Sequence, residues 1–359
     1  MLGSEIGGER SARGLIRDAM TGGRGAAFFR VGIGLVLGLV FAAIVIRHVD
    51  LRKGGAILEQ ASLLPILIGL AAFASDFVLR TARFCGLLFA ATGRTIPLAR
   101  AFAPFVASFG MSDVLPLRAG DGLRVIWFSR RFDVSAGTVL GAILIERIFD
   151  LMALLLLGAI ALPFASVAMP RTLVASFQLV LAGCLVMGLI AMAAPALLVR
   201  LCGRLSTRMP GPVMAMLLRT SRAMADALRQ VGSWRRMLLF GALSIACWLL
   251  ESVVFMGAWL SLGGTGAAGI PFLSFIFSTL GTMVPSLPGH FGSYEYFGVQ
   301  AFTLSGADPS FAAAVVFLAH LIIWAPTAIF GVLWVMIGAA RSSPSGKPLD
   351  EAEHALAQR

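Results

Sequence analysis

Residues 237–340 contain no lysine and no arginine, and their only acids are Glu251, Glu295 and Asp308. Soluble domains carry about 25% charged residues, so no water-facing surface can be built from this stretch. Residues 172–199 are barer still, with no Asp, Glu, Lys or Arg. A helix of about 20 apolar residues crosses ~30 Å of hydrocarbon. Backbone groups in lipid must bond within their own segment, which selects helices, and the short alternating strands of a barrel are absent. Over the whole chain, 58% hydrophobic and 13% charged residues agree with this. The expected fold is an all-α integral membrane protein. It has about six full spans, near 27–46, 61–79, 135–161, 172–199, 237–262 and 311–338.

The net charge is +11, and the only lysines are Lys53 and Lys347. The arginines lie between apolar segments with no aromatic platform among them, which argues against nucleic acid and for membrane topology and anionic headgroups. Most of the cations fall before span 1, between spans 2 and 3, within 200–236 and after span 6. Both termini are therefore expected in the cytoplasm of a bacterial inner membrane. Residues 1–25 read as a basic disordered tail, 26–340 as one transmembrane domain and 341–359 as a second tail. Within 200–236, Val213, Leu217, Met224, Leu228 and Val231 recur at helical spacing, opposed by Arg219, Arg222 and Arg229, which predicts an amphipathic membrane-surface helix. The first apolar run is too long for a signal peptide and lacks a small-x-small cleavage site, so it reads as a retained span. The four cysteines have no metal-ligand or disulfide spacing, and no metal or cofactor is expected.

Two regions break the pattern of spans. Pro104 to Gly110 leads to Leu115-Pro116-Leu117-Arg118-Ala119-Gly120-Asp121-Gly122; Pro271 to Phe277 leads to Pro285-Ser286-Leu287-Pro288-Gly289-His290-Phe291-Gly292-Ser293-Tyr294-Glu295. Each apolar part is short for a span and is broken by Leu-Pro-x-x-x-Gly. Proline and glycine at membrane depth free backbone groups that only buried protein or a wet cavity can satisfy. Regions 97–131 and 271–304 are thus expected to be re-entrant hairpins, broken at Pro116, Gly120, Pro285, Pro288, Gly289 and Gly292. Three spans lie between them, so the hairpins enter from opposite sides as an inverted repeat, an architecture of many transporters.

Ionisable groups inside spans mark candidate sites. Glu146, Arg147 and Asp150 sit in span 3, at about 2.5–3.5 kcal/mol each on insertion scales. Glu146 and Asp150 share a face, and Arg147 can pair with Asp150 three residues on. Two readings stand: a path for a charged headgroup, or an ion-pair lock between helices. Asp76, Arg80 and Arg83 share one face of span 2 near its cytoplasmic end, where an interfacial ion pair is expected. Arg118, Arg124, Arg130 and Arg131 flank the first break, suited to lipid phosphate and equally to plain positive-inside signals. Glu295 follows the second break, where a helix N-terminus favours an acid. Glu251 is alone in span 5, and His320 lies three turns into span 6, readable as a titrating group or a satisfied interhelical histidine.

No nucleophile elbow, zinc-protease motif, phosphate loop or dinucleotide fingerprint is present, so an enzyme is not expected and any transport is passive or ion-coupled. The stretch from Leu115 to Arg124, with Glu146-Arg147-Ile148-Phe149-Asp150 and the run from Pro285 to Glu295, resembles the transmembrane domain of lysylphosphatidylglycerol synthase, a flippase-like family. The resemblance covers about residues 28–338. His290 stands where that family has a glycine, and His320 where many relatives have an arginine. The resemblance implies lipid translocation of a phospholipid, glycolipid or isoprenoid lipid. The soluble aminoacyl transferase domain of the full synthases is not carried over to this chain.

The expected function is therefore flippase- or scramblase-like lipid transport. The substrate path would use Glu146, Arg147, Asp150, Arg118, Arg124, Glu295 and His320, with membrane lipids and lipid-biosynthesis enzymes as partners. Two rivals remain: a membrane component of a lipid-linked glycosyl- or acyl-transferase, with Asp121 and Glu146 as its candidate acid and base, and a scaffold for lipid-synthesis enzymes.

Overall fold

The computed structural model describes residues 24–115, 119–161, 195–208, 232–284 and 286–342, with scattered positions between 175 and 222. These residues are helical, with no strand among them. The helices are α1 (Arg24–His48), α2 (Leu51–Glu59), α3 (Leu63–Thr92), α4 (Leu98–Val114), α5 (Ala119–Phe132), α6 (Ala136–Ala161), α7 (Pro195–Arg208), α8 (Trp234–Ser261), α9 (Gly269–Gly281), α10 (Ser293–Leu304) and α11 (Pro309–Ser342). By length and composition α3, α8 and α11 can each cross a membrane. Helix α6 is 26 residues long and carries Glu146, Arg147 and Asp150. Most of the expected span at 172–199 lies outside the described residues, and its last five positions fall in α7; Val213, Leu217, Met224, Leu228 and Val231 of the amphipathic pattern also lie outside them, as do Pro116, Arg118 and Pro285.

Each of the two regions holds a pair of short helices; Gly120, expected at a break, lies in the first turn of α5, while Pro288, Gly289 and Gly292 lie in the connection between α9 and α10. Helices α4 and α5 pack on each other, as do α9 and α10. At 17, 14, 13 and 12 residues, each is shorter than the roughly 20 residues a span requires.

The chain divides into two compact units, and α3, α6, α8 and α11 each contribute residues to both. The first unit comprises Met1–Phe73, Leu151–Leu189 and Trp248–Ile322. In it α10 packs on α1, and the Ser274 hydroxyl donates to the Gly298 carbonyl at 2.9 Å across the α9–α10 pair. The connection carries three left-handed residues, Gly289 (φ 70), His290 (φ 62) and Gly292 (φ 93). At Gly292 a side chain would also strike the Gly38 carbonyl of α1. Glu295 closes the start of α10, its Oε2 accepting the Gly292 N–H at 2.7 Å, the acidic half of a capping box at the helix N-terminus. Asp308 caps α11 from the N-cap position: its carboxylate accepts from Ser310 N–H and Phe311 N–H at 3.0 and 3.1 Å, with Pro309 at the first helical position, where its missing donor costs nothing.

The second unit comprises Ala74–Asp150, Ile190–Cys247 and Ile323–Arg359. Glycines set its closest approaches. A Cβ on Gly110 would overlap the Thr327 carbonyl, and one on Gly120 the Ser108 carbonyl and Ser112. Thr327 Oγ1 donates to Asp113 Oδ2 at 3.0 Å, joining α11 to α4. The centre is aromatic: Phe84, Phe105, Phe109 and Phe128 lie with neighbouring ring centroids 5.1–5.4 Å apart.

Polarity is distributed as lipid demands. Leu64, Ile68, Ile329 and Met336 are exposed, while Asp76, Arg83, Arg124 and Glu146 are buried. Water would favour the reverse.

Candidate functional site

The second unit encloses a network of four arginines and four acids. It begins on α3, where Asp76, Arg80 and Arg83 at i, i+4, i+7 share a face. Arg80 Nε donates to Asp76 Oδ2 at 2.6 Å, and its Nη1 lies 3.8 Å from Asp150. Arg83 holds Asp150 through both terminal nitrogens, at 2.5 and 3.2 Å, and its Nη1 also donates to the Ser244 hydroxyl of α8. Arg83 Nη2 is 3.6 Å from Glu146, and both side chains are 0% exposed.

Arg124 on α5 completes the buried part. Its Nε donates to Ser108 Oγ at 2.8 Å and its Nη1 to Glu146 Oε1 at 3.2 Å. Nη2 is 3.4 Å from Asp121. The guanidinium lies 4.4 Å from the Phe109 ring centroid and 4.6 Å from that of Phe105, so its faces meet π-systems where its edges meet acceptors.

Arg147 is the outermost member. Its Nη2 donates to both oxygens of Asp121, at 3.1 and 3.3 Å, and the two side chains are 35% and 25% exposed. Arg147 thus pairs with Asp121 across the helices, while Asp150 is taken by Arg83. The expected interfacial pair on α3 is the buried centre of the network: Asp76, Arg80 and Arg83 are all buried. Four positive and four negative side chains leave the network formally neutral, the condition for placing charge in a low-dielectric interior. Arg130 and Arg131 are exposed in the last turn of α5, where cations suit the helix dipole.

Glu295 and His320 meet in the first unit. His320 Nδ1 is 2.5 Å from Glu295 Oε1, and its Nε2 is 2.9 Å from the Gly289 carbonyl oxygen. Tyr294 stacks on the imidazole at 4.1 Å between centroids, and Phe291 lies at 4.5 Å. Pro288 opens the short turn that carries Gly289.

Of the expected path residues, Glu146, Arg147, Asp150 and Arg124 come together in one network, and Glu295 and His320 pair in the other unit. Sequence reasoning misses Arg83 and Ser244 as partners of this network, because their contacts span 67 and 161 positions. The usable signal is the matching number of arginines and acids within apolar segments.

Compared with curated proteins, the sequence matches none. A family model described as the lysylphosphatidylglycerol synthase transmembrane region matches residues 31–331, which takes in both pairs of short helices, the ion network and the Glu295–His320 pair. The chain belongs to the lysylphosphatidylglycerol synthase transmembrane-region family, and is a membrane protein.

Proposed function

We propose that this protein moves lipids between membrane leaflets, with Arg147 as the group that meets a lipid phosphate. The observation that carries this reading is the Arg147–Asp121 pair. It is the half-buried end of a network whose other charges are buried, and its two hydrogen bonds leave from one nitrogen of the guanidinium. A guanidinium has five donors in a planar fork suited to phosphate. Glu146 and Asp150 serve in this reading as the ion-pair frame that holds Arg147's helix, not as headgroup ligands. The two broken helix pairs support it too, since interrupted helices in lipid are retained where a polar path needs them. In this reading the pairs are re-entrant and enter from opposite sides, and both termini lie in the cytoplasm of a bacterial inner membrane, a reading the cation distribution supports.

The test uses the purified full chain in vesicles carrying a head-labelled phospholipid or a phosphate-free glycolipid. Protection from an impermeant quencher reports the inner leaflet. The expected result is loss of protection faster than in empty vesicles for the phosphate-bearing lipid. Equal rates with and without protein, for every headgroup tried, would end the proposal.

A further inference from the structure

The first unit holds an open-sided cavity of about 400 Å³. Its walls are apolar side chains of α1, α2 and α11, such as Val45, Leu58 and Phe317, and its polar side chains are Glu295 and Ser310. Glu295 is 13% exposed there, and His320 lies behind it at 4%.

The hydrogen bonds fix how many protons this pair holds. A carbonyl can only accept, so the Gly289 contact requires a proton on His320 Nε2. Glu295 Oε2 is already accepting from the Gly292 N–H. The 2.5 Å contact between Nδ1 and Oε1 needs one proton more. Placed on nitrogen it gives an imidazolium beside a carboxylate; placed on oxygen it gives two neutral groups. The pair is net neutral in both cases. Without that proton, two acceptors face each other and the cavity wall carries a bare negative charge, which apolar surroundings oppose.

Few other ionisable groups surround it. Tyr294 stacks on His320, and its hydroxyl feels both Glu295 and Glu251 of α8. His290 lies in the same connection. The charged residues of α2, Arg52, Lys53 and Glu59, do not line the cavity; Lys53 is engaged by Asp308 at 2.8 Å. From α1 the lining residues are apolar.

We propose that Glu295 and His320 form a proton-exchange site, in which a cationic group entering the cavity takes the place of the shared proton. One positive charge enters and the proton leaves to water; Glu295 Oε1 parts from His320 Nδ1 and pairs as a carboxylate with the entering cation, while His320 stays neutral on its Nε2–H tautomer. The chemical class of ligand is an amphiphile with an apolar tail and a positive head. The inference rests on the lipid-handling reading for its biological sense, but its test reads binding, not transfer.

The probe is dodecyltrimethylammonium, which has no proton of its own to lose. Calorimetric titration of the purified full chain in buffers of different ionisation enthalpy counts the protons released per probe bound. The wild type is expected to bind saturably and release about one proton. Glu295→Gln keeps both contacts, with its amide oxygen accepting from Gly292 and its amide nitrogen donating to His320; it is expected to bind roughly tenfold more weakly and release none. Binding without proton release, no saturable binding, or unchanged release in Glu295→Gln would each overturn the proposal. Should Glu295→Gln fail to fold, the wild-type proton count decides alone. Proton exchange without leaflet transfer would refute the transport reading and leave this site standing.

Discussion

Arg83 grips Asp150 with two terminal nitrogens, at 2.5 and 3.2 Å, and neither side chain exceeds 6% exposure. Removing either partner strands a charge in a low-dielectric interior, at about 3–5 kcal/mol. Arg83→Leu and Asp150→Leu are each expected to lower the thermal unfolding temperature of purified protein sharply. The double variant should lose less than the sum of the two, with a coupling of ~1–3 kcal/mol. Additive losses would mean that the pair does not act as a unit. Arg83→Lys should recover only part of the loss, because an ammonium cannot serve the carboxylate as a fork while reaching Ser244.

Gly110 is where α4 meets α11. An alanine there would overlap the Thr327 carbonyl, whereas one at Gly122 on α5 meets nothing within 4 Å. Gly110→Ala is expected to cost about 1–3 kcal/mol through overpacking. Gly122→Ala is expected to be neutral or mildly stabilising through higher helix propensity. Thermal shift of the two variants in detergent checks the contrast.

Asp308 caps α11 and pairs with Lys53 at 2.8 Å. That hydrogen bond, with the Phe311 N–H, holds its carboxyl below the ordinary aspartate range. A depressed acid contributes stability above its unfolded value and loses it as pH falls through the folded one. Amide exchange at Ser310 and Phe311 is therefore expected to be protected at neutral pH and to rise as pH drops below the usual carboxylate range, once intrinsic exchange is divided out. Asp308→Asn should flatten that dependence.

The broken helix pairs were legible because proline and glycine mark backbone that lipid cannot satisfy. Glu146, Arg147 and Asp150 were legible as expensive charges on one helix. Partners were not: spacing along α3 places Asp76, Arg80 and Arg83 on a common face, but says nothing of Asp150, 67 positions after Arg83. Arg124 sits in a sequence context shared with the exposed Arg130 and Arg131, and its contacts with Ser108, Glu146 and two phenylalanine rings, all distant in sequence, distinguish it. The cavity beside Glu295 left no signal, since its walls are ordinary apolar residues brought together from segments far apart in sequence.

Lipid transfer by Arg147→Ala tests the central claim most directly. The Arg147–Asp121 pair is half-buried, and Asp121 keeps Arg124 at 3.4 Å when Arg147 is removed, so the variant should fold with a modest loss of thermal stability. In the vesicle quenching assay its transfer of a phosphate-bearing lipid is expected to fall about tenfold or more, the loss of one good phosphate contact. Wild-type transfer by a well-folded Arg147→Ala protein would contradict the account.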